Sequence, residues 1–252
     1  MDAYEVVSRY YDLEHDRLTD DVDMYLQFAQ TYGESVLVCG VGTGRVGIGI
    51  AVRGFETWGF DVSPAMLSRA RQKAVSTPNL HLFDADMTSL DLDRSFSLVI
   101  MPLDTLVGLA TREAQEAALK RARACLLPEG LLIVDVLNPL VLPDLSESRL
   151  LRLRFESSTC EGHLIVANDA LEIDPANQSF ELHLRYEVAA GHATRTEWAS
   201  LPGRWLYRSE LELLLRLAGL IPTHAYGNYD LSQYDLASPR MIVTATVDVP
   251  TS

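Results

Sequence analysis

The stretch VLVCGVGTGRVGIGIA, residues 36–51, packs five glycines into ten residues directly after an apolar run. Glycine weakens a helix by roughly 1 kcal/mol per position relative to alanine, so a turn and helix this bare must answer a local need. Two templates fit the spacing: Gly42, Gly44 and Gly47 match the G-x-G-x-x-G dinucleotide fingerprint, while Gly40, Gly42 and Gly44 match a tighter G-x-G-x-G turn. The apolar run ends at Cys39, so the turn starts at Gly40. Counting from there puts Arg45 where the dinucleotide pattern has its third glycine. Close packing of a helix on its strand accounts for Gly47 and Gly49 but not for the first three glycines.

Outward from this loop, short apolar runs alternate with helical stretches. Strands are predicted over 36–39, 56–60, 80–83, 96–101 and 131–137, and helices over 45–52, 64–74 and 112–126, with Ser63 capping the second and Pro64 at its first position. Strict alternation predicts an α/β fold with a doubly wound, mostly parallel sheet. After Asn138 and Pro139 the texture changes. LRLRFE (151–156) and FELHLRYEV (180–188) alternate apolar with polar residues, and residues 174–177 form a turn before the second, which predicts an antiparallel sheet with one apolar face. A capping box of Ser209 with Glu212 predicts a helix over 210–218, followed by strands over 223–226 and 241–247. The division expected is a main domain of 1–139 and 207–252, with 140–206 as an antiparallel insertion after the fifth strand.

Two acids bear on the ligand. Asp61, in GFDVSPAMLSRA, falls where the second strand ends, and a carboxylate there can accept both hydroxyl hydrogens of a ribose. It also reads as a plain helix-start acid. FDADM (83–87) puts Asp86 just past the third strand, within reach of an adenine amino group; a dinucleotide site has no standard acid there. Asp84 and Asp86 also read as ordinary loop acids.

VLVCGVGTGR, GFDVSPAML, DADM, SLVIMPLDTL and LPEGLLIVDVLNP, in this order and spacing, resemble successive motifs of the class I S-adenosylmethionine (SAM) dependent methyltransferases. The resemblance covers about residues 4–139, and the last helix and strand pair resemble the closing antiparallel hairpin of that family's seven-stranded, Rossmann-like sheet. It implies SAM as cofactor and S-adenosylhomocysteine as product. By the same resemblance Gly40, Gly42 and Gly44 line the methionine part, Asp61 holds the ribose, and Asp86 with the Met87 backbone reads the adenine. Val62 and Met66 flank the ring, and the Leu103 backbone lies near the sulfonium. A tyrosine just before the sheet reaches the cofactor in similar proteins; Tyr11 in RYYDLEHD is the first candidate and Tyr10 the second, and both also read as core aromatics. One departure is Val38, where the family often has an acid two places before the first glycine.

A methyl acceptor carrying a hydroxyl or ammonium proton would be helped by a proton acceptor. Asp104 in MPLDTL, after the fourth strand, is the candidate base or substrate contact; it reads equally as a loop acid or helix cap. Asn138, Tyr226 and Tyr229 are candidate acceptor contacts. The 140–206 insertion is expected to roof the acceptor pocket or to form a dimer interface.

Composition narrows the classes. With 35 acidic against 21 basic residues and a formal charge of −14, the chain repels phosphate backbones and anionic surfaces, so the partner expected is a small molecule rather than nucleic acid or membrane. Cys39, Cys125 and Cys160 are too far apart for a metal set and read as reduced core thiols, and the six histidines show no ligand or triad spacing. No signal-peptide pattern opens the chain, so a cytoplasmic location is expected. Three functions stay open: a small-molecule N- or O-methyltransferase, an NAD(P)-dependent oxidoreductase, and a non-catalytic SAM-binding protein.

Overall fold

In the computed structural model, which describes residues 3–33, 35–142, 148–159, 162–191 and 193–248, apolar strands with residues alternating between two faces make the centre of the molecule. The elements in chain order are α1 (Ala3–Val7), α2 (Tyr11–His15), α3 (Asp20–Tyr32), β1 (Ser35–Cys39), α4 (Arg45–Ala51), β2 (Glu56–Asp61), α5 (Pro64–Lys73), β3 (Leu80–Asp84), β4 (Phe96–Met101), α6 (Arg112–Ala124) and β5 (Leu126–Leu137). Then follow β6 (Arg152–Ser158), β7 (Leu164–Asp174), β8 (Ser179–Ala190), β9 (Ala193–Arg204), α7 (Arg208–Leu217), β10 (Leu220–Tyr226) and β11 (Arg240–Val247).

Seven strands form one sheet in the order β10-β11-β5-β4-β1-β2-β3, with β1 to β5 parallel and β11 antiparallel to both β5 and β10. The order reverses at β1, next to β4, and a crevice opens at the carboxyl ends of the strands where order reverses. The period of two sorts each strand onto two layers. Val36 and Val38 of β1 face Met24, Tyr25, Val46, Ile50 and Leu67 of α3, α4 and α5, while Leu37 and Cys39 face Leu119 of α6 and Leu211 and Leu215 of α7. Burial of these side chains contributes about 1.5–3 kcal/mol each, so the sheet is a rigid platform for whatever its loops hold. The Ser63 cap is present, its Oγ accepting from Met66 N at 3.3 Å.

The sheet differs from expectation in detail. β5 starts at Leu126, because a register shift lets Leu126 pair with Phe96 ahead of the regular ladder. α7 starts at Arg208, so Ser209 lies inside the helix. Tyr207 takes the N-cap position without a side-chain bond, and Glu212 bonds Arg208 Nε at 2.7 Å instead of closing a capping box. α1, α2 and α3 lie where the sequence reading assigned no element.

Strands β6 to β9 form a separate antiparallel sheet in sequence order, after β5. Its apolar face, carrying Ile165, Ala167, Leu184, Tyr186, Val188 and Ala199, packs on Val6, Val7 and Tyr10 from the N-terminal segment and on Met66 of α5. That face is therefore covered within the chain. His183 stays on the opposite, exposed face, against Ser200 Oγ at 2.8 Å. Cys39 and Cys125 are buried thiols, and Cys160 lies outside the described residues. Among the described residues no helix is long and apolar enough to cross a membrane, and no group of three or more His, Cys, Asp or Glu could hold a metal ion.

Candidate cofactor and acceptor site

The glycine loop takes a backbone that side chains disfavour. Gly40, Gly42 and Gly44 have φ of +68°, +56° and +89°, so three left-handed residues alternate along one turn between β1 and α4. A Cβ at Gly40 would meet Thr105 Cγ2 at 2.5 Å, whereas a Cβ at Gly42 would meet nothing within 4 Å. The first glycine lets the loop close on the β4 turn; the second faces open space that a ligand can enter. Gly49 serves packing, since a Cβ there would lie 2.6 Å from Val22 Cγ1 of α3. The later glycines thus seat helices and the earlier ones shape the crevice.

Asp61 stands at the end of β2, beside this loop. Its Oδ2 accepts from Gly42 N and its Oδ1 from Ser63 N, both at 2.8 Å. Burial raises its pKa, against the pull of the Ser63, Gly42 and Val62 N–H groups. A carboxylate offers about four lone-pair sites, and two are used here. One remaining on each oxygen suits a vicinal diol. Val62 beside it is 61% exposed, an apolar surface awaiting cover, whereas Met66 is buried under the second sheet. Asp86 is exposed after β3; its Oδ1 accepts from Thr88 N and Oγ1 at 2.8 Å, and its Oδ2 is open. Met87 packs its side chain partly on the core.

Tyr11, Gly40, Arg45, Pro102, Leu103 and Thr105 wall a small cavity between the glycine loop and the turn after β4. Of the two tyrosines, Tyr11 reaches this cavity. Its ring stacks on His15 at 4.1 Å, and burial pushes its hydroxyl up to about 12, opposed by the Arg45 charge. Tyr10 turns away and stacks on Tyr186 of the second sheet at 4.2 Å.

Charged contacts lash the N-terminal helices to the loop. Asp12 Oδ1 accepts from Thr43 Oγ1 at 2.5 Å and from Lys73 Nζ at 2.8 Å. Arg45 forks onto the fully buried Asp21 at 2.7 and 2.5 Å, with a further bond to Leu18 O at 2.6 Å. The second sheet holds the same helices through Arg154 to Glu14 at 2.5 Å and Arg9 to Glu197 at 2.9 Å. Sheet, helices and glycine loop are thus stacked in sequence, and a shift of the cover would move Tyr11.

The turn after β4 rests on a buried polar network. Leu103 and Asp104 have φ of +44° and +67°, uncommon for residues with side chains. Beneath them Asp135, fully buried in β5, accepts from Tyr25 OH at 2.8 Å, Arg240 Nε at 2.8 Å, Tyr229 OH at 3.2 Å and Leu103 N at 3.2 Å. Asp135 O accepts from Asp104 N at 3.0 Å. The network pins two left-handed residues.

Several candidates from the sequence sit elsewhere. Asp104 accepts from Leu137 N at 2.5 Å and pairs with Arg240 at 2.9 and 3.2 Å, so both of its oxygens are engaged within the chain. Asn138 is fully buried and bonds Ser238 O, Tyr234 OH and Leu140 N, fixing the chain before β11. Tyr226 packs near Phe28 and stacks on His224 at the sheet edge, and Tyr229 serves Asp135. Sequence reading missed Asp12, Asp21, Thr43, Thr105 and Asp135. Only Asp135 left a signal: a carboxylate inside the apolar run LLIVDVL must find buried donors.

The residues fit a cofactor with a ribose and a charged amino-acid end: an open glycine cradle, a half-used carboxylate and a small polar cavity with one cation. The methyltransferase domain family model matches residues 36–130. YqeM of Bacillus subtilis (strain 168) is 35% identical over 102 residues, which is 40% of this chain and 41% of that protein. The match thus spans about two fifths of the length of that curated relative. Among solved structures, the CcbJ methyltransferase from Streptomyces caelestis superposes with a TM-score of 0.78 at 26% identity, covering 92% of this chain and 90% of that one. SAM-bound CalS10, an amino pentose methyltransferase from Micromonospora echinaspora, superposes with a TM-score of 0.72 at 21% identity, covering 92% and 91%.

Proposed function

We propose that this chain, which matches the methyltransferase domain model over residues 36–130, is a class I SAM-dependent enzyme moving the methyl group of SAM to a nitrogen or oxygen of a small molecule. The observation that carries the reading is the pairing of Gly42, left-handed and open in front, with Asp61, whose free lone pairs lie beside it. SAM supplies a methyl group made electrophilic by its sulfonium. In this reading Gly40, Gly42 and Gly44 give the backbone approach, Asp61 holds the ribose, and Asp86 offers its open Oδ2 to the adenine. Val62 lies under the ring, and Leu103 and Tyr11 border the reacting end.

The chain's remaining task is positioning. Aligned reactants at near-contact distance can supply about 7–11 kcal/mol of a barrier, so a general base is dispensable. Asp104, already committed to Arg240, is assigned to holding the turn. Residues 140–206 are read as a cover unit that shapes the acceptor pocket, supported by the packing of their apolar face on α1 and Met66. That packing argues against the same face forming a homodimer interface. CalS10 is an amino pentose methyltransferase, and amino sugars are therefore placed first among the acceptors to be tested. Arg45 at the third-glycine position and the acid at Asp86 disfavour an NAD(P) oxidoreductase.

The test is mass-spectrometric detection of methylated product with SAM and a panel of amino sugars, amines, phenols and carboxylates. Methylation of one class, altered by Leu182→Ala or Leu201→Ala at the partly buried rim of the cover, supports the reading. No product from any class, with SAM bound, would assign the chain to cofactor binding without catalysis.

A further inference from the structure

We propose that His15 is a positioning residue whose neutral imidazole holds the Tyr11 side chain against the cavity between the glycine loop and the β4 turn, with the second sheet tuning that hold through Arg154. This rests on the SAM reading above. Tyr11 and His15 are the first and last residues of α2, four positions apart, so their side chains share one face of the helix. A five-residue helix whose N-cap residue, Tyr10, makes no side-chain bond has little stability of its own, so the direction of Tyr11 depends on what touches it. His15 touches it twice. The two rings stack with centroids 4.1 Å apart and planes 17° from parallel, and His15 Nδ1 lies 2.9 Å from the Tyr11 carbonyl oxygen. A carbonyl only accepts, which assigns the proton to Nδ1 and leaves Nε2 of the neutral ring as a lone pair. Tyr11 in turn lines the cavity.

The charges around the ring favour that neutral form. Glu14 stands on the same helix with Oε2 3.8 Å from His15 Nδ1, but its Oε1 accepts from Arg154 Nε of β6 at 2.5 Å, and Arg154 reaches on to Asp169 of β7 at 3.2 Å. Arg154 and Arg45 of α4 face the imidazole as cations, and the His15 side chain is 14% exposed. Burial, with these two guanidinium groups, lowers its pKa against the pull of Glu14 and the Tyr11 carbonyl. A proton on Nε2 would put a third cation in this buried cluster and give the ring a second donor to satisfy. SAM carries a sulfonium and an ammonium against a single carboxylate, so its entry beside Tyr11 disfavours that proton further. SAM binding and His15 protonation therefore oppose each other, and by linkage each weakens the other by the same factor.

The test is titration calorimetry of the intact chain with SAM between about pH 5 and pH 7.5, on either side of the ordinary histidine value, in buffers of different ionisation enthalpy so that protons released on binding are counted. Wild type should bind with pH-independent affinity at the upper end, lose up to about tenfold per pH unit below the His15 pKa, and release protons there. His15→Phe keeps a stacking ring and has no proton to lose, so it should retain most of the neutral-pH affinity and lose this release. Any release from Asp61, whose pKa burial raises, is common to both proteins. His15→Ala removes ring and bond and should weaken SAM by about threefold to tenfold at neutral pH, with the melting temperature recorded alongside as a check on folding. Arg154→Gln removes a cation and frees Glu14, both of which raise the His15 pKa, so the acid loss should begin at higher pH; an unmoved onset contradicts the tuning by the second sheet. Proton release in His15→Phe equal to wild type overturns the proposal, as does a folded His15→Ala that binds SAM as tightly as wild type. If His15→Ala does not fold, His15→Phe decides. Wild type that binds no SAM at any pH would instead overturn the SAM reading.

Discussion

Replacing Asp135 with alanine removes the hub of the buried network and should destabilise the protein by about 3–5 kcal/mol, the summed effect of leaving several buried donors without an acceptor. The figure follows from the partners. Tyr25 OH, at 2.8 Å and fully buried, is left without an acceptor, at about 1–3 kcal/mol. Arg240 loses its 2.8 Å bond but keeps Asp104, so its charge is not orphaned, while Leu103 N and Tyr229 OH lose longer bonds. Against a typical total of about 5–15 kcal/mol this is a large fraction. Tyr25→Phe, which deletes one donor and leaves the carboxylate three others, should lose only about 1.5–3 kcal/mol. Urea unfolding followed by tryptophan fluorescence and circular dichroism measures both. A lowered midpoint at unchanged m is expected. Loss of less than about 1 kcal/mol in Asp135→Ala would show that the network is not what holds the β4 turn.

Other outcomes follow from the same geometry. Asp61→Ala should weaken SAM more than Asp86→Ala, each by roughly 1–3 kcal/mol, because Asp61 also holds Gly42 N while Asp86 has one open oxygen; equal losses by calorimetry would refute the ranking. Gly40→Ala, pressed on Thr105 at φ +68°, should impair SAM binding, whereas Gly49→Ala, pressed on Val22, should lower stability and spare affinity in the folded fraction. His15 has a lowered pKa from burial, with Arg154 and Arg45 adding to it and Glu14 and the Tyr11 carbonyl opposing. A depressed pKa means that the unfolded chain binds the proton first, so this contribution is present above the ordinary histidine pKa and is lost as pH falls through the folded value. His15→Gln should flatten that part of the stability profile; an unchanged slope would contradict it.

The alternation of strands with helices and the presence of an antiparallel second sheet could be read from the sequence, through β6 and β8 but not β7 and β9, because period-two runs and glycine punctuation are local signals. β1 to β5 sit where Val36, Trp58, Leu82, Val99 and Ile133 place them. The same local logic located Gly40, Gly42, Gly44 and Asp61, since a loop and a strand end are defined by their own neighbours. It missed what depends on distant pairing. Arg45 and Asp21 are 24 residues apart, and Asp135 and Arg240 are 105 apart, so nothing in either segment announces the partner. Ser209 and Glu212 had the right spacing for a capping box, but Glu212 found Arg208 instead. Asn138 and Asp104 had the right place in the chain for acceptor contacts, yet the sheet's closing loop and Arg240 claim their polar atoms.

The central claim is that the glycine loop and Asp61 form a SAM site, and titration of the purified protein with SAM, S-adenosylhomocysteine and NAD tests it most directly. Saturable heat with SAM and S-adenosylhomocysteine, none with NAD, and a weakened affinity for SAM in Asp61→Ala is the result predicted. Heat with NAD and none with SAM would contradict it.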